Sequence, residues 1–183
     1  VVIILIPPFI AGRQVLRGSL SLIMLFGLLG AGYMLFEIAW IKKLTLIVGH
    51  PGVSFAAVLT ILLTASGLGG WYSQKISEGH INAVFLIAAA GTALSGTAAV
   101  LLPPVLSSLP DAAVLALVAP CIAVPGFLLG LPLSLTIRCL SPNPSLRAFG
   151  WAVNGTVSVL TSAAASLIAV YAGISMLLWR AAG

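Results

Sequence analysis

Long apolar runs separated by short polar or turn-forming clusters dominate the chain. Five runs near 19–41, 52–72, 81–103, 112–138 and 150–178 are each long enough to cross a bilayer core, which takes about 20 apolar residues in a helix. The interruptions fall at 12–18, 49–52, 73–80, 103–111 and 141–147, where Gly, Pro, Ser, Asn and the charged residues collect, as expected of turns between helices. Residues 1–11 form a shorter apolar element ending at Pro7-Pro8. No basic segment precedes it, so it reads as the end of an upstream helix rather than as a signal peptide. The expected fold is all-α: a polytopic transmembrane helix bundle of five full spans plus a partial N-terminal one. Residues 12–183 form a single transmembrane bundle, with no aqueous domain among them.

Finer patterning sharpens three elements. The first run is expected to end near Ile41, with Trp40 in the aromatic belt, Lys42 and Lys43 reaching the headgroups, and 44–50 lying in the interface. The fourth run holds Pro120, Pro125 and Pro132. Each proline removes a helical hydrogen bond. Such breaks either build binding sites or are merely tolerated in lipid. Small residues recur at helical spacing: Gly27 and Gly30 in the first run, Ala88, Gly91, Ser95 and Ala99 in the third, and Gly155, Ser158 and Ser162 with Ala165, Ala169 and Gly173 in the last. Faces of this kind let helices pack closely in lipid. Gly67-Leu68-Gly69-Gly70 lacks the Gly-Lys-Ser/Thr ending of a phosphate loop and is read as a site of close helix approach.

Composition agrees with the pattern. The chain is 61% hydrophobic and 6% charged, against about 25% charged in soluble domains. The net charge of +5 does not point to nucleic acid, because the eight basic residues are thinly spread and most fall in gaps between the runs. With alternating crossings, Arg13, Arg17, Lys75, Arg138 and Arg147 share one side, and Lys42, Lys43 and Arg180 the other. The positive-inside rule makes the first side cytoplasmic. Cys121 and Cys139 are 18 residues apart in one run. That is about 27 Å along a helix, too far for a disulfide. His50 and His80 are separated by a whole span, roughly 30 Å, and no carboxylate pair or thiolate cluster lies near either. No metal site and no cofactor is expected of this chain.

Candidate chemistry centres on Glu37, one of only three acids and the only charge between Leu20 and Ile41. An ionised carboxylate in hydrocarbon costs about 3 kcal/mol or more, so such residues usually face a protein interior, a cavity or a partner. Tyr33 at i−4 and Trp40 at i+3 share its helix face. Gly30 lies two turns back. Two readings stand: a proton or cation site, or a buried polar tie between helices, with Asn154 as a partner. Asn154 opens a glycosylation sequon, but so close to a span that the acceptor is out of reach, and an interhelical hydrogen bond is its expected role.

The stretch Gly-Ala-Gly-Tyr-Met-Leu-Phe-Glu-Ile-Ala-Trp-Ile-Lys-Lys-Leu-Thr-Leu-Ile-Val-Gly-His-Pro over 30–51, followed by an apolar run and Ser66-Gly67-Leu68-Gly69, resembles the membrane repeat of integral-membrane spermidine synthase-like proteins, the fused major-facilitator/spermidine synthase family. Glu37, Trp40, Lys42, Leu44 and Gly49 fit that repeat, while Leu35 departs from its spacing. The start of the last run, 147–156, is similar to the family's Gly-x-x-Tyr/Trp-x-x-Asn-Gly/Thr helix start, and His50-Pro51 to its C-terminal membrane half. The resemblance implies a transporter-like module, or a membrane platform for an aminopropyltransferase-like domain, in a bacterial inner (cytoplasmic) membrane. This chain holds no nucleotide loop after a strand and no acidic polyamine cradle, so no transferase activity is expected of it alone. The expected partners are the lipid bilayer and either other membrane helices or an upstream soluble domain. The alternative reading is a non-catalytic structural subunit of a larger membrane complex.

Overall fold

The computed structural model describes residues 20–101, 109–139 and 143–182. Among them the secondary structure is helical throughout: α1 (Leu20–Val48), α2 (Pro51–Tyr72), α3 (Ile81–Leu101), α4 (Asp111–Cys139) and α5 (Pro144–Ala182), with 3₁₀ turns at Ser73–Lys75 and Glu78–His80. Four helical segments are long and apolar enough to cross a membrane: Leu22–Val48, Pro51–Lys75, Ile81–Ala99 and Asp111–Cys139. The expectation of five spans and a partial first one is therefore met for four. α5 covers the fifth expected span, but its side chains beyond 167 lie outside the described residues, as do residues 1–11.

Exposed faces confirm what solvent these helices need. Leu46 is 81% exposed and Leu94 73%. A helix that is apolar on its outward face as well as its inward one is suited to lipid rather than water.

Two helix boundaries differ from the sequence expectation. α1 does not end near Ile41 but continues through Lys42 and Lys43 to Val48. Leu44 is fully buried and Val48 nearly so, so 44–48 is packed helix rather than an interfacial segment. The stop comes from Gly49, whose φ of +75° suits glycine alone at little cost, and whose N–H donates to the Thr45 carbonyl at 2.9 Å. Pro51 two residues on then opens α2. α5 begins at Pro144, inside the segment expected to be a break. Asn143 caps it, its Oδ1 accepting the Leu146 N–H at 3.2 Å, and proline at the first helical position loses no bond the helix would use.

The chain divides into two compact units, Val1–Ile38 with Phe149–Gly183, and Ala39–Ala148. In the first, Gly27 and Gly30 of α1 lie against Val157, Asn154 and Ser158 of α5, and Phe26 against Gly150.

In the second unit α4 is the central element, packed on α2 and on α3. The buried stripe of α2 is Ser54, Val58, Leu62, Ala65 and Gly69, recurring every three to four residues. Its contact with α4 is backbone to backbone. A side chain at Gly69 would overlap the Phe127 carbonyl, and one at Gly130 the Ser66 carbonyl. The Gly-rich end of α2 thus serves close approach. Val84 of α3 closes a small core with Leu131 and Leu135 of α4.

Candidate functional site

α1 buries Phe26, Gly27, Gly30, Glu37, Trp40, Leu44 and Val48. After the adjacent pair Phe26 and Gly27, these recur at three, four or seven residues along one unbroken helix, a single stripe. Glu37 belongs to that stripe and is 9% exposed. Tyr33, one turn earlier, is half-buried.

In the first unit, the wall facing α1 is polar at one level. A Cβ added at Gly30 would stand 2.5 Å from the Asn154 carbonyl oxygen, 2.8 Å from Ser158 Oγ and 3.0 Å from Asn154 Oδ1. Ser158 Oγ donates to that same carbonyl at 2.8 Å. Gly30 is thus the residue that lets α1 reach the polar face of α5. Thr156 adds a hydroxyl that is 7% exposed and has no hydrogen-bond partner among the described residues. Sequence reasoning passed over Thr156. Its signal was position alone, two residues after Asn154. Gly155, expected on the packing face, is exposed, and a Cβ there would meet nothing within 4 Å. The face that packs is Asn154, Val157 and Ser158, one step round the helix. Ser162 is half-buried and its carbonyl accepts from Ser166 Oγ at 3.0 Å.

Trp40 departs from expectation. It is 2% exposed, so it is no member of an interfacial aromatic belt. In the second unit its indole N–H donates to Ser95 Oγ of α3 at 3.0 Å, and Ser95 donates to the Cys121 carbonyl of α4 at 2.6 Å. A buried indole needs such an acceptor. Ser95 was read from sequence only as a small packing residue. Beside it lies a cavity of about 270 Å³ between α3 and α4, lined by Gly91, Ser95, Ala98, Pro120, Cys121 and Pro125 among others.

At the far end of the same unit, Arg138 closes α2. Its Nη1 donates to the Ser73 carbonyl at 2.8 Å and its Nη2 to the Ile76 carbonyl, a cation meeting the negative end of a helix. The Lys75 ammonium lies 5.1 Å from the Trp71 ring centre and 5.8 Å from that of Tyr72. Both rings are exposed, which is the aromatic-and-cation pattern of a membrane interface. Among the described residues no group of three His, Cys, Asp and Glu side chains is placed to hold a metal ion.

Comparison with protein-family models, with curated proteins and with solved structures returns no match to this chain.

Proposed function

We propose that this chain is a multi-pass membrane module of the carrier type, with five full spans and a partial first one, and with Glu37 as its cation- or proton-handling group. One observation carries the reading: a carboxylate on the buried stripe of an apolar helix that is long enough to cross the membrane. Intramembrane acids in such positions mark ion paths and proton relays by default. Asn154 and the unpartnered Thr156 hydroxyl supply further polar groups within the first unit. The resemblance of 30–52 to the membrane repeat of spermidine synthase-like proteins makes a polyamine the first substrate class to test. It also makes a bacterial inner membrane the first location, and an aminopropyltransferase-like domain the first partner. The chain by itself has no transferase activity.

Proteoliposomes holding a pH-sensitive dye and offered radiolabelled putrescine or spermidine test this directly. Wild type accumulates label or moves protons. Glu37→Gln, which keeps the volume and removes the charge, does neither while keeping its unfolding midpoint. Unchanged uptake and proton movement in that variant reject the carrier reading.

A second reading, a non-catalytic subunit packed among foreign helices, draws on the small positions that meet nothing in their own unit, Gly32, Gly96 and Gly155. It expects co-purification with other membrane proteins at fixed stoichiometry, and recovery as a lone species in mild detergent counts against it.

A further inference from the structure

In an α-helix the carbonyl of residue i accepts the N–H of residue i+4. Proline has no N–H, so Pro125 leaves the Cys121 carbonyl without its helical donor. That orphan sits deep in a membrane span, where no bulk water is at hand to satisfy it. The structure gives it a donor from another helix: Ser95 Oγ at 2.6 Å. A serine hydroxyl has one proton, and Ser95 spends it on this carbonyl. Its oxygen is then left to accept, and it accepts the Trp40 indole N–H at 3.0 Å. The three groups thus form a directional chain across α1, α3 and α4, Trp40 to Ser95 to Cys121, in which each member depends on the next. Ser95 is 4% exposed and Trp40 2%, so neither has solvent to turn to.

The groove of about 270 Å³ lies directly beside this chain and is lined mainly by apolar groups, Leu94 and Val124 among them, with Pro120 and Pro125. A water needs about two to four polar partners, so an apolar groove of this kind stays dry. Ser95 is therefore the donor that satisfies the freed carbonyl, and the bond draws α4 against α3. Were α4 to swing away at Pro125, the indole, the hydroxyl and the carbonyl would all be left unpaired in an apolar surrounding, which penalises the open position.

We infer that the Trp40–Ser95–Cys121 chain is a latch that holds the proline break of α4 closed against α3. This does not depend on Glu37 or on the carrier reading. A serine that merely fills space predicts the same packing but not the dependence on Pro125.

The test places spin labels on either side of the break, at Leu86→Cys and Leu117→Cys, both outward and exposed at 72% and 52%. The background carries Cys121→Ala and Cys139→Ala, the first of which keeps its backbone carbonyl. Pulsed EPR in lipid nanodiscs reads the α3–α4 distance. Without further change the distribution is single and narrow. Ser95→Ala lengthens its mean by about 2 Å or more, the scale of helix shifts in switching proteins, and broadens it. Adding Pro125→Ala, which restores the N–H that Cys121 lacks, returns the distribution to the narrow one. Trp40→Phe keeps the ring and removes only the donor, so it gives a partial shift. It carries the test alone if Ser95→Ala does not fold. A distribution unmoved by either variant overturns the latch. So does a Ser95→Ala or Trp40→Phe shift that persists undiminished with Pro125→Ala, because the effect would then be packing alone.

Discussion

Polar side chains are scarce among the described buried residues; the hydroxyls of Ser54 and Thr156 have no hydrogen-bond partner there, and the others are placed by their neighbours. Glu37 lies on the packed stripe of α1, Trp40 finds Ser95, and Ser95 finds the carbonyl that Pro125 released. Interhelical hydrogen bonds in membranes contribute about 0.6 kcal/mol on average and up to about 1.7. Trp40→Phe is therefore expected to cost about 1 kcal/mol in reversible unfolding from lipid–detergent mixtures, and Ser95→Ala more, since it also strands a carbonyl. Arg138→Met removes two donors from the carbonyls of Ser73 and Ile76, with an expected loss of about 3 kcal/mol, the low end for two charged hydrogen bonds at roughly 1.5–3 each. Arg138→Lys should recover less than half of it, because a single ammonium lacks the planar fork that reaches both. Thermal midpoints of the two variants measured side by side check this. At this scale the sequence was only partly legible. Glu37 stood out by its cost in lipid, and the buried structure agrees. Ser95 did not stand out, because a serine among alanines and glycines is indistinguishable from a small spacer until its neighbour is known. The missing signal was arithmetic: a proline four residues after Cys121 frees one carbonyl, and some donor must come to it.

Helices fit together here through absent side chains. At Gly69 and Gly130 the obstacle to a Cβ is the backbone of the facing helix, at Phe127 and Ser66, so no rotamer change can relieve it. Gly69→Ala and Gly130→Ala are each expected to destabilise by about 1–3 kcal/mol, the usual cost of overpacking. Gly155→Ala, at an open position, should be neutral or slightly stabilising, since alanine favours a helix over glycine by up to about 1 kcal/mol. Denaturation midpoints of the three variants compared with wild type separate the cases. A loss at Gly155 as large as at Gly69 would mean that a foreign helix covers that face. The element boundaries teach a related lesson. Gly49 and Pro51 ended one helix and began the next as their backbone preferences require. Asn143-Pro144 looked like a break but is a capped start, since proline interrupts a helix everywhere except its first turn. Lys42 and Lys43 looked like a terminus, yet charged groups on long stems can stay inside a helix while reaching outward.

The whole molecule's orientation rests on charge and on one tertiary contact. Arg138 reaches the carbonyls that follow α2, so the ends of α2 and α4 and the Ser73–His80 turn share one side. Lys75 and Arg138 lie there, and the positive-inside rule then predicts that side as cytoplasmic. A single cysteine introduced as Gly79→Cys in the Cys121→Ala, Cys139→Ala background should react with a membrane-impermeant maleimide in inverted vesicles and not in right-side-out ones, and the opposite pattern reverses the topology. The sequence by itself determined the solvent, the helical class, and where most helices start and stop. The reason is that a backbone in lipid must bond to itself, so each apolar run becomes a helix on local grounds alone. Only the tertiary structure decided that Trp40 is buried, that the polar face of α5 runs through Asn154 and Ser158 rather than Gly155, and that the carbonyl freed by Pro125 is met by Ser95. Those partners come from other elements, Ser95 standing 55 residues from Trp40 and 26 from Cys121. No local rule of spacing or propensity reaches that far. Which small residue faces which carbonyl is set by the close approach of helices, and that is a property of their packing rather than of any one run.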